Sequence, residues 1–186
     1  MSNHRDSAHG TSAPLVEVWR GPIVESRHRG HIAAVTGAGK MVAALGAPDT
    51  VTFLRSSGKP FQALPLLVSG AAGRFGFNVQ EIAIACGSHS GEPVHVETVR
   101  SMLRKIGVDE SALKCGVHEP FSAEVARELA RNQQPPNLLQ NNCSGKHAGM
   151  IGLARHVGAP TETYDQWTNP VQQMIGRTVA QFSDVP

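Results

Sequence analysis

Aromatic side chains are scarce in this chain: six Phe, two Trp and one Tyr among 186 residues, none interleaved with a basic run. That excludes the stacking platform on which single-strand nucleic-acid binders depend. Charge of one sign is equally short, with 17 Lys and Arg against 15 Asp and Glu for a formal net charge of +2. So small and scattered an excess lays no track for a nucleic acid. No apolar run approaches the ~18 residues of a membrane span, and Met1 to Pro14 contains no hydrophobic signal-peptide core. A cytoplasmic protein with no nucleic-acid and no membrane partner is expected. Cys86, Cys115 and Cys143 are odd in number and far apart, which is not a disulfide framework. They are expected as thiols, Cys115 as a small buried packing residue.

What is present suits one medium domain able to bury about two thirds of its unfolded surface. Residues 1–13, rich in Ser, His, Asn and Gly without periodicity, read as a disordered leader, leaving 14–186 as the domain. Leu15 to Trp19 alternates like an edge strand and Ile23 to Glu25 follows the Gly21-Pro22 turn. Ile32 to Thr36 and Lys40 to Gly46 flank Gly37-Ala38-Gly39 as a hairpin, and Val51 to Leu54 reads as a further short strand. Phe61, Leu64, Leu67 and Val68 then mark a helical face. Asn78 with Glu81 forms a capping box, Val96 to Ile106 an amphipathic helix closed by Gly107, and Ser122 a cap for the next helix. A last helix runs from Asn141-Asn142-Cys143 to Gly158. Strands first and helices later give an α+β class, a helix-covered antiparallel sheet rather than repeated βαβ units.

Three clusters of reactive residues open helices. In Arg55-Ser56-Ser57-Gly58-Lys59-Pro60-Phe61-Gln62 the spacing from Ser56 to Lys59 is i to i+3, which puts both on one helical face. A desolvated lysine has a lowered pKa and can take the proton that makes a serine hydroxyl nucleophilic. Ser57, at i to i+2 from the lysine, reads as a cap or spacer. In Ser88-His89-Ser90-Gly91-Glu92 the plain reading is capping by Ser90, a dipole partner in Glu92 and a solvated His89. Ser88 is the member that capping explains least. In Cys143-Ser144-Gly145-Lys146-His147 a thiol at a helix start beside a lysine is either a metal ligand or a reactive thiol. The other histidines, His28, His31, His95, His118 and His156, show no partner pattern and read as solvated or loop residues.

Taken in order, Arg55 to Ala63, Cys86 to Glu92 and Asn142 to Met150 resemble the signatures of the asparaginase II family, the rhizobial-type L-asparaginases. The resemblance runs from about Val16 onward, with support from Gly21 to Ser26 and Ala44 to Gly46. It implies an amidohydrolase converting L-asparagine to L-aspartate and ammonia on a fold similar to serine beta-lactamases and glutaminases, in a homodimer. Carried over by position, Ser56 and Lys59 match one Ser-Lys pair, and Ser88 matches the serine of a second. Cys143 and Lys146 match two zinc ligands, implying Zn2+. His147 neighbours that site and is a candidate for contacting substrate or supporting the ligands, and Arg55 is a candidate for contacting substrate. Ser56, with its base in this sequence, is the expected nucleophile and Ser88 its competitor. Family members are longer, and their second zinc cysteine and second lysine fall beyond Pro186. The expectation is therefore the N-terminal portion of such an enzyme, with a truncated non-catalytic product, or a glutaminase or beta-lactam-type serine hydrolase, as the alternative readings.

Overall fold

The structure, a computed structural model, describes residues 11–183. The chain forms two compact units, Met1–Phe53 and Leu54–Pro186. The class is α+β, with seven α-helices and two small antiparallel sheets among the described residues.

In the first unit, β1 (Ala13–Arg20) pairs with β2 (Ile23–Gly30) through the Gly21-Pro22 turn, where Gly21 takes φ +58°. The second hairpin joins β3 (Ile32–Val35) to β4 (Met41–Leu45) across the Gly37-Ala38-Gly39 turn. The single sheet expected from the sequence is thus two separate two-stranded sheets. Val51 to Leu54 is not a strand, because no neighbouring chain pairs with it among the described residues. None of residues 11–53 is buried, and Val16, Trp19, Ile23, Val42 and Phe53 are among the large apolar side chains it exposes. Of the leader segment, residues 1–10 lie outside the described residues, while Ala13 already opens β1.

The second unit is helical. A short 3-10 turn, Arg55–Gly58, leads into α1 (Lys59–Val68), whose first turn accepts Pro60 because that position needs no intrahelical N–H donor. The brief α2 (Ala71–Arg74) follows Gly70. Next, α3 (Val79–Ala85) starts in the expected capping box, with the Glu81 N–H on Asn78 Oδ1 and the Asn78 N–H on a Glu81 carboxylate oxygen. Helix α4 (Pro93–Ile106) ends at Gly107, α5 (Ala123–Arg131) is capped by Ser122, and α6 (Ser144–Val157) ends at Gly158. The sequence reading missed α7 (Pro170–Ser183), which Asn169 opens by accepting the Val171 N–H.

Helix α6 is the axis of this unit. Ala148, Met150, Ile151, Leu153 and Ala154 are all buried, so it is apolar on more than one face, as a central helix must be. It packs against α1, α3, α4 and α7. Gly145 sets the closest approach: a Cβ there would sit 2.6 Å from the carbonyl oxygen of Ile84 at the end of α3. Any side chain would push the two helix ends apart.

One carboxylate lies inside this packing. Glu81, 1% exposed, accepts from Lys105 Nζ at 2.6 Å, Ser101 Oγ at 2.8 Å and the Asn78 N–H at 2.7 Å. Burial pushes its pKa up, but these donors outweigh it and hold the carboxyl below its ordinary value. A lowered folded pKa means that the stabilisation is full above the unfolded value of about 4.3 and is lost as pH falls through the folded value. Glu81→Gln should therefore cost about 1–3 kcal/mol at neutral pH and flatten the acid side of the stability curve, measured by urea unfolding from pH 7 to pH 3.

Candidate active site

Three segments of the helical unit meet at one point: the start of α1, the loop between α3 and α4, and the start of α6. Lys59 supplies the centre. Its side chain is buried, 3% exposed, and its Nζ donates to Ser88 Oγ at 2.8 Å, the Gly87 carbonyl at 3.0 Å and the Asn142 carbonyl at 3.4 Å. An ammonium has three donors and here meets three oxygens. Ser88 itself is exposed, so the serine next to the lysine is open to a ligand.

Ser56 lies elsewhere. It is exposed on the 3-10 turn and makes no side-chain hydrogen bond to Lys59 among the described residues; only its carbonyl accepts the Lys59 N–H. Lys59 turns into the interior, where the carbonyls of Gly87 and Asn142 wait, and leaves Ser56 on the outside. Ser57 folds back so that its hydroxyl donates to the Leu54 carbonyl, a local turn bond. Arg55 is exposed and holds φ +52°, an uncommon backbone conformation for a side-chain-bearing residue.

The loop of Ser88 departs from plain capping. Helix α4 is capped by Glu92, with the Glu92 N–H on His95 Nδ1 at 3.3 Å, while Ser90 only donates to the Glu92 carboxylate. His89 is not solvated but 7% exposed, with its ring stacked on His95 at 5.2 Å between centroids. Its Nδ1 accepts the Gly91 N–H at 3.2 Å, so the proton is on Nε2, which donates to Ser144 Oγ at 2.9 Å. Burial first, then the neighbouring His95, Lys59 and His118, lowers its pKa to about 4. Ser88, His89, His95, Ile84 and Thr98 line a cavity of about 330 Å³ beside this loop.

At the start of α6, Asn141 is a buried clamp. Its Nδ2 donates to the carbonyls of Cys115 and Gly116, and its Oδ1 accepts the Cys143 N–H at 2.8 Å. His118, expected to be solvated or a loop residue, accepts the Asn142 N–H on Nε2 at 3.2 Å. Cys115 is half-buried, with its thiol on the Leu138 carbonyl at 3.6 Å and its pKa pushed up by burial to about 11. His147 Nδ1 lies 2.8 Å from the hydroxyl of Tyr164, which accepts the Lys114 N–H at 2.7 Å and so donates to the imidazole. Burial, with Lys146 adding to it, brings the His147 pKa down to about 4. Tyr164 carried no sequence signal, being the one tyrosine in the chain, yet it is wholly buried and orients His147.

Cys143 and Lys146 stand one turn apart on α6. The Lys146 amine makes no hydrogen bond among the described residues and, together with His147 and Asp165, borders a cavity of about 160 Å³. Burial lowers its pKa, against an opposing pull from Cys143 and with help from Lys59. Zinc accepts a thiolate, and a lysine amine could join it only when neutral, yet protein zinc sites use three or four protein donors. Among the described residues no group of three or more His, Cys, Asp and Glu is arranged to hold a metal. Cys143 and Lys146 supply two of the donors such a centre needs, and no chemical step below runs through zinc.

Residues 16–186 match the family model for L-asparaginase II. The chain belongs to the L-asparaginase II family. Membership in the L-asparaginase II family supports a hydrolase, with asparagine as the substrate that the family's name implies. No curated protein matches the chain. No helix among the described residues is long and apolar enough to cross a membrane.

The neutral His89 of this L-asparaginase II family member has a consequence for pH. Its folded pKa of about 4 lies below the ~6.5 of an unfolded histidine, so the unfolded state binds the proton first. Stability should fall as pH drops from about 6.5 towards about 4. Histidine proton NMR should show two imidazoles that do not titrate near neutrality, those of His89 and His147, and the first should disappear in His89→Gln.

Proposed function

We propose that the protein hydrolyses the side-chain amide of L-asparagine to L-aspartate and ammonia, with Ser88 as nucleophile and Lys59 as its base. The observation that carries this reading is the set of three acceptors around Lys59 Nζ. A neutral amine has two N–H donors and one lone pair. Once the proton now facing Ser88 has left, the two remaining donors stay on the carbonyls of Gly87 and Asn142 and the lone pair faces the Ser88 hydroxyl. The geometry required of a nucleophile and its base is a hydrogen bond of this length.

In the proposed reaction Lys59 takes the Ser88 Oγ proton as the oxygen bonds to the amide carbon. The same proton passes to the nitrogen as the C–N bond breaks, releasing ammonia and leaving an aspartyl ester on Ser88. Water then attacks that ester, its proton going to Lys59 and back to Ser88 Oγ, and aspartate leaves. Ser56, the nucleophile expected from the sequence, becomes the competitor: it is exposed, lies beside the strained Arg55 and stands three residues before the same lysine. Arg55 and His147 are proposed to contact substrate. The proposal also carries the likeness to serine beta-lactamases and glutaminases, a cytoplasmic setting, a homodimer, and Zn2+ with Cys143 and Lys146 as two of its ligands.

Ammonia release from asparagine, read with mass spectrometry of the quenched protein, tests the reading. Ser88→Ala and Lys59→Met should each lower kcat by roughly a thousandfold, and Ser56→Ala should still show an acyl adduct on the Ser88 peptide. Loss of the adduct in Ser56→Ala with turnover kept in Ser88→Ala would move the nucleophile to Ser56. Metal analysis after dialysis tests the zinc proposal separately: bound zinc should fall to background in Cys143→Ala.

A further inference from the structure

We infer that His89 is a positioning residue that holds Ser88 on Lys59 through a directed hydrogen-bond chain to the start of α6. This rests on the Ser88–Lys59 reading above and names the side chain that makes that pair geometrically stable. Ser88 is exposed on a loop, and its hydroxyl is held by Lys59 alone among the described residues. The next residue does the anchoring. The His89 N–H donates to the Asn142 carbonyl at 3.2 Å, the same oxygen that Lys59 Nζ approaches at 3.4 Å. Its imidazole then runs inward, where Nε2–H donates to Ser144 Oγ at 2.9 Å and that hydroxyl donates to the Leu139 carbonyl at 2.8 Å.

Every link in this chain points one way. The Gly91 N–H on Nδ1 fixes the tautomer, the tautomer fixes Nε2 as donor, and the Leu139 carbonyl fixes the Ser144 hydroxyl as its acceptor. Ser144 and Leu139 are both 0% exposed, so no water competes for these bonds. Gly91 lets the loop come in this far. It takes φ +80°, and a Cβ there would sit 2.8 Å from the Gln140 carbonyl. Asn142 to Ser144 thereby becomes a common reference for both members of the pair: its carbonyl holds the lysine, and its backbone and hydroxyl hold the residue after the serine. His89 touches no reacting atom, so its effect is on placement. A misplacement on the order of 1 Å costs about a hundredfold in rate.

Steady-state kinetics on the purified protein with asparagine, beside melting temperatures, test this. His89→Ala and Ser144→Ala should each lower kcat about 10- to 100-fold with KM within about twofold. His89→Gln, which can still donate to Ser144 Oγ, should recover most of the rate. Ser144→Ala decides the matter where His89→Ala does not fold, since it leaves the imidazole in place and removes only its acceptor. Parent-like kcat in folded Ser144→Ala, or a loss in His89→Ala that His89→Gln does not relieve, overturns the inference while Ser88→Ala remains inactive. Turnover kept in Ser88→Ala, or no turnover by the parent protein, overturns the serine reading itself, and the inference with it.

Discussion

Burying a lysine is tolerated only where its donors find acceptors, and the site of this protein is built around meeting that condition for Lys59. Two carbonyls and one hydroxyl surround its amine, drawn from the loop after α3 and from the start of α6. The carbonyls are backbone groups whose positions follow from helix packing, not from a flexible side chain. The lysine is therefore held by the core itself, and the exposed Ser88 hydroxyl is the one partner of the three that belongs to a side chain.

Helix α6 serves both requirements. Its later turns fill the interior with Ala148, Ile151, Leu153 and Ala154, and its start, with the two residues before it, brings Asn142, Cys143, Ser144 and Lys146 to the site. Gly145 lies between these functions, because only a residue without a side chain lets the end of α3 come so close. The loop that follows α3 inherits this placement, which is why Gly87 and Ser88 reach Lys59. Chemistry at the mouth and packing below it depend on the same helix-to-helix contact.

Much of this architecture was legible in the sequence. Asn78 with Glu81, Ser122, Gly107 and Gly158 marked helix ends by local hydrogen-bond and backbone rules, and each acts as such in the structure. Helix α7 was missed although Asn169-Pro170 and the spacing of Val171, Met174, Ile175 and Val179 carried its pattern. The partner of Lys59 could not be read in the same way. Spacing rules identify neighbours within one helix, and they single out Ser56; the serine bonded to the amine is 29 residues away. His89 was misread for a related reason. Its Ser and Glu neighbours suggested a solvated helix start, while the acceptor that permits its burial, Ser144, is 55 residues distant.

The acceptors of Lys59 lie 28, 29 and 83 residues along the chain. Such separations make the site a product of long-range closure, which follows local helix formation in time because distant contacts must first overcome the entropy of the intervening loop. As the chain emerges from synthesis, Lys59 is exposed to water long before Asn142 exists to receive it. A partly folded chain in which α6 has not docked has no Asn142 carbonyl for the amine and no anchor for the Ser88 loop. The three oxygens around the Lys59 amine are thus assembled only once α6 has docked, and the reaction proposed at Ser88 would wait on that step.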